Sequence, residues 1–118
     1  MLAERQKAAD IIIDVLSEKI SVSEGLSLFP KSDDINVKCA FDALAHREAD
    51  EDLRAQESDY AYVQDDYLLD MAKTLKKGET LPLNIIAEYL KFHEDNLIAP
   101  SGKNFKTIFQ KLKRMINF

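Results

Sequence analysis

Three glycines and three prolines in 118 residues leave this chain few places to turn sharply. Five of the six, Pro30, Gly78, Pro82, Pro100 and Gly102, fall where the pattern of apolar residues breaks. Between the breaks the apolar residues recur at intervals of three and four. Strict alternation is rare, and no β-branched or aromatic run is flanked by hairpin signals. The chain is therefore read as all-α, a single compact bundle of five or six helices spanning residues 1–118.

The spacing predicts a first helix over Ala3 to Lys19, with Ile12, Val15 and Leu16 facing inward. A short second helix runs from Val22 to Phe29, with Ser21 and Glu24 at capping-box spacing and Pro30 after its end. Ser32 is read as the N-cap of a third helix reaching Ala55, with Asp33 and Asp34 in its first turn. The fourth, Ser58 to Lys77, places Tyr60, Val63, Tyr67, Met71 and Leu75 on one face and has Gly78 just past its end. Pro82 opens a fifth with Ile85, Ile86, Tyr89 and Leu90 inside. Ser101 caps a last helix that aligns Phe105, Ile108, Phe109, Leu112, Met115 and Ile116. The expected core is Ile12, Leu16, Phe41, Leu44, Val63, Tyr67, Met71, Ile86, Tyr89, Leu90, Phe105, Phe109 and Leu112.

A chain of this length forms one ordinary domain, and its balance of 46% hydrophobic and 31% charged residues is that of a globular protein rather than a disordered one. No apolar run approaches the roughly 18 residues of a membrane span. The N-terminus lacks the pattern of a secretory signal, and one cysteine, Cys39, cannot close an internal disulfide. Cytoplasmic location is the expectation.

The stretch "HREADEDLR", His46 to Arg54, sets one imidazole beside four carboxylates. At about 100° per residue they cannot share one site. Glu48 continues the bulky line of Val37, Phe41 and Leu44, whereas His46 and Asp50 extend a small-residue side with Cys39 and Ala43. A zinc ion wants four ligands, so His46 and Asp50 would need help from another helix, with His93 as the conceivable third donor. Arg47 with Glu51, and Asp50 with Arg54, stand four apart, the spacing of helix-surface ion pairs. The solvated-face reading is preferred, and Glu48 is expected where the helix runs beyond the core.

No phosphate-binding loop, dinucleotide fingerprint or serine-hydrolase elbow is present, so no positive case for an enzyme arises and no cofactor is expected. Charge is segregated: Asp42 to Asp70 carries ten acidic and two basic residues, whereas Pro100 to Phe118 carries five basic and none acidic. The leading expectation is a non-enzymatic protein-interaction or regulatory module, with Glu48, Glu51, Asp52, Lys106 and Lys113 as interaction residues. A metal-assisted enzyme using His46, Asp50 and His93 is one alternative. The other is nucleic-acid binding through Lys103, Lys106, Lys111, Lys113 and Arg114, which the net charge of -5 disfavours. Tyr62, Leu69, Phe92 and Phe118 fall outside the expected core faces, and a homodimer is the expected assembly.

Overall fold

A computed structural model of the chain describes residues 2–98, with side chains described through residue 93. The helix expected after Ser101, its core residues Phe105, Phe109 and Leu112, and the candidates Lys106, Lys113 and Phe118 lie outside the described residues. Among the described residues there are six helices and no strand: α1 Leu2–Leu16, α2 Val22–Leu28, α3 Ile35–Ala49, α4 Glu51–Gln56, α5 Ser58–Lys76 and α6 Leu83–Ile98. The chain is all-α. It divides into two compact units, the first ending at Leu81 and the second beginning at Pro82.

In the first unit α1 packs chiefly along α5, α2 lies across α1 and α3, and α4 folds against α5. Ala8, Ala9, Ile12, Ala40, Leu44, Leu68, Ala72 and Leu75 are fully buried between these helices. The alanines let the helix axes approach closely, and Ile12, Leu44, Leu68 and Leu75 fill the space between.

The ends of α1 and α5 are built alike. After α5 the Gly78 and Glu79 N–H groups return to Leu75 and Thr74, and Gly78 takes the left-handed conformation at φ 77°, as its place after the helix predicts. After α1 the same pattern, Glu18 N–H to Val15 and Lys19 N–H to Asp14, puts Glu18 at φ 62°. The helix thus stops three residues before the predicted Lys19. A β-carbon in that conformation costs about 1–2 kcal/mol, part of which glycine returns as its greater unfolded-state freedom. Glu18→Gly is therefore expected to stabilise the protein by up to about 1 kcal/mol, measured as a raised urea midpoint.

Ser21 caps α2 as predicted, its hydroxyl accepting from the Glu24 N–H at 3.1 Å. Gly25 inside α2 is a matter of space, because a β-carbon there would stand 2.7 Å from Val15 Cγ2 and 3.3 Å from Ile11 Cγ2. Val15 is branched at its β-carbon and cannot easily swing away. Gly25→Val should cost about 1–3 kcal/mol through overpacking, and thermal unfolding would show it.

Three expectations are corrected. The N-cap of α3 is Asp34, whose carboxylate accepts from the Asn36 N–H, while Ser32 sits outside the helix and accepts from the Asp34 N–H. The predicted third helix is split at Asp50 (φ -94°, ψ 15°) into α3 and α4. The buried side of α3 is also rotated toward its small residues: Cys39, Ala40, Ala43 and His46 are covered, and Phe41 is 43% exposed with its ring edge-on to Phe29.

The same kind of rotation explains the other core errors. On α5 the inward stripe runs through Tyr60, Gln64, Tyr67, Leu68, Met71 and Leu75, leaving Val63 half-buried at its edge; Leu16 on α1 is half-buried too. In the second unit the Ile85 and Ile86 N–H groups bond to the Pro82 carbonyl and start α6. Its covered stripe follows Ile85, Tyr89 and Phe92 at intervals of four and three. Phe92 is therefore 3% exposed and Leu90, about 200° round the helix from it, 51% exposed, the reverse of the expectation for both. Ile86 and Tyr89 are half-buried. No described helix is long and apolar enough to cross a membrane.

Candidate functional site

The His46 to Arg54 stretch divides by side, as the helical geometry requires. His46 and Asp50 point inward, while Glu48, Glu51 and Asp52 are exposed. The exposed Glu48 accepts a hydrogen bond of 2.5 Å from the Ser23 hydroxyl across on α2.

The inward half is a polar network clamping α4 to α5. The Tyr60 hydroxyl donates to Asp50 Oδ2 at 2.6 Å, and the Gln64 amide donates to the same oxygen at 3.3 Å. Arg54 donates to Gln64 Oε1 at 2.5 Å and to Asp65 Oδ2 at 3.0 Å; Arg47 reaches the other oxygen of Asp65 at 3.0 Å. Among the described residues neither predicted i,i+4 pair, Arg47 with Glu51 or Asp50 with Arg54, forms. Asp65 draws both arginines inward because it bridges two guanidinium groups, a better arrangement than two separate solvent-exposed pairs. Burial, and then the hydrogen bond to the Asp50 carboxylate, push the Tyr60 phenol well above its ordinary pKa. It stays a proton donor at neutral pH.

His46 is 1% exposed and its Nε2 lies 3.0 Å from Asp42 Oδ2, one turn earlier on α3. Asp50 is engaged by Tyr60 and Gln64, and His93 sits on α6 in the second unit beside the rings of Tyr89 and Phe92. Among the described residues no group of three or more His, Cys, Asp or Glu side chains is placed to hold a metal ion. Burial, reinforced by the Asp42 charge, pushes the Cys39 thiol up to about 12, so it is not a thiolate nucleophile near neutral pH. An open groove of about 450 Å³ lies where α1 turns into α2. Its rim mixes the carboxylates of Glu18, Glu24 and Glu51 with the cations of Lys19 and Arg47.

The outward half continues along α5. Of the ten acidic residues between Asp42 and Asp70, seven are exposed: Glu48, Glu51, Asp52, Glu57, Asp59, Asp66 and Asp70. Asp59, Tyr62, Asp66, Leu69, Asp70 and Lys73 recur on the outer side of α5. Tyr62 is 73% exposed and flanked by Asp59 and Asp66 one turn away on either side. Of the four residues expected outside the core, Tyr62 is exposed, Leu69 half-buried and Phe92 buried, which removes Phe92 as an interface residue.

The sequence reading missed Gln64, Arg54 and Asp65 as members of one network. One signal was available: Gln64 falls on the inward line of Tyr60, Tyr67 and Met71, where a polar residue must have a partner. Compared with protein-family models, curated proteins and solved structures, the chain shows no match.

Proposed function

We propose that this chain is a non-enzymatic interaction module whose acidic face on α4 and α5 takes a basic protein partner. The observation that carries this reading is the direction of the charges. Arg47 and Arg54, the two basic residues between Asp42 and Asp70, are turned onto Asp65, and seven carboxylates of the same stretch are exposed. Such a face steers a positively charged partner by long-range attraction. Tyr62 supplies what charge alone does not, a large rigid ring of the type that anchors interface centres.

The test compares retention of native-extract proteins on the wild-type chain, on Tyr62→Ala and on the double variant Asp59→Lys, Asp66→Lys. A basic protein held by the wild type at low salt should be lost from the charge-reversed variant and weakened by Tyr62→Ala. Its retention should also fall steeply as ionic strength rises, because exposed charge contacts are screened beyond about 10 Å at 0.1 M salt. Equal retention by all three proteins, or no basic protein retained at low salt, would reject the reading.

A further inference from the structure

We infer that α4 is a flap over α5, swinging on Asp50 and Glu57 and latched by Arg54. Two non-helical residues bound the six-residue helix: Asp50 at φ -94°, ψ 15° and Glu57 at φ -125°, ψ 95°. Neither makes a side-chain cap to the helix that follows it. α4 contains no buried residue, with Leu53 and Arg54 half-covered and the other four exposed. Little apolar burial holds it down.

Its Asp50 end is fixed to α5 by the Tyr60 hydroxyl at 2.6 Å and the Gln64 amide at 3.3 Å, and its body is held by the guanidinium of Arg54, which spans Gln64 Oε1 at 2.5 Å, the Ala61 carbonyl at 3.3 Å and Asp65 Oδ2 at 3.0 Å. Asp65 is itself 37% exposed, so water and salt compete directly for that contact. The other α5 side chains that bond to Asp50 and Arg54 are of a different kind. Tyr60 is 5% exposed and Gln64 1%, and both belong to the inward stripe of α5. Swinging α4 away exposes this strip of α5 and moves Glu51 and Asp52 relative to the carboxylates on α5. The flap thus sets which surface the first unit presents.

Amide exchange and hydroxyl-radical labelling of the full chain test this together. The Glu57 amide, which bonds to the Leu53 carbonyl at 2.9 Å, should exchange at least about 100-fold faster than the amides of Met71 and Leu75. Arg54→Ala should speed it about tenfold more, the scale of losing a charge-assisted hydrogen bond, and leave Met71 and Leu75 unchanged. Labelling of Tyr60 should rise toward that of the exposed Tyr62 in the same variant, while Tyr67 stays protected; Asp65→Asn gives a second, milder release of the latch. Glu57 exchanging as slowly as Met71, or either variant speeding all helices equally and leaving Tyr60 no more labelled than Tyr67, would overturn the flap.

Discussion

Replacing Asp34 by alanine is expected to remove about 3–5 kcal/mol of stability, read as a large fall in the urea midpoint at nearly unchanged slope. The side chains of Arg5 and Asp34 are only 14% and 3% exposed, and Arg5 Nε meets Asp34 Oδ2 at 2.6 Å. Removing the carboxylate strands a guanidinium that is largely out of water, the main part of the cost. It also removes the cap of α3, because Asp34 Oδ1 accepts from the Asn36 N–H at 3.0 Å and from its amide at 2.9 Å. Asn36 in turn accepts from the Leu81 N–H at 2.8 Å, and Arg5 donates to the Gly78 carbonyl at 2.9 Å. One carboxylate therefore joins the start of α1, the start of α3 and the turn after α5. Asp34→Asn keeps the capping oxygen and should lose less, and a change below about 1 kcal/mol in Asp34→Ala would show that the junction is held by something else.

The same group makes stability depend on pH with a definite sign. Burial alone would raise the Asp34 pKa, but the Arg5 guanidinium and the Asn36 hydrogen bonds outweigh it and hold the group below its ordinary 3.8. A carboxyl with a depressed folded-state pKa stabilises the protein fully above its unfolded value. That contribution is lost as pH falls through about 4 toward the folded value. Asp34→Asn should flatten the acid limb of the stability curve over that interval while lowering its plateau.

The sequence made the all-α class and several helix ends legible because those depend on neighbours along the chain. Ser21 with Glu24 and Gly78 behave as their local chemistry dictates. What could not be read locally was the rotation of each helix about its axis. On α3 both Phe41 and the line Cys39, Ala43, His46 offered a face. Packing chose the small residues because they permit close approach to neighbouring helices, sending Phe41 and Glu48 outward. The candidate site shows the same division. That the acidic stretch must split by side followed from 100° per residue, but the break at Asp50 did not. It is stabilised by Tyr60 and Gln64, ten and fourteen residues further on, which no helical periodicity connects to it. Glu18 likewise gives no glycine signal, although it occupies the left-handed position that Gly78 fills after α5.

Truncating Tyr67 to alanine is expected to cost about 3–5 kcal/mol, whereas truncating Leu90 should change stability by no more than about 0.5 kcal/mol. Both residues lie on apolar stripes at helical spacing, so sequence pattern alone would assign them the same loss. Tyr67 is 3% exposed in the middle of the inward face of α5, between Gln64 and Met71, and the chief partner of α5 is α1. Deleting its ring leaves a void that neighbouring helices, close-packed through alanines, can only partly collapse into. Burial is also the first cause of the phenol's raised pKa, followed by the nearby Cys39 and Asp42 on α3. Tyr67→Phe keeps the ring and should retain most of the stability, which separates packing from the hydroxyl's contribution. Leu90 at 51% exposed has little to lose on truncation. Urea unfolding of the three variants would reverse this picture if Leu90→Ala cost more than Tyr67→Ala, since the covered stripe of α6 would then run through Leu90 and not Phe92.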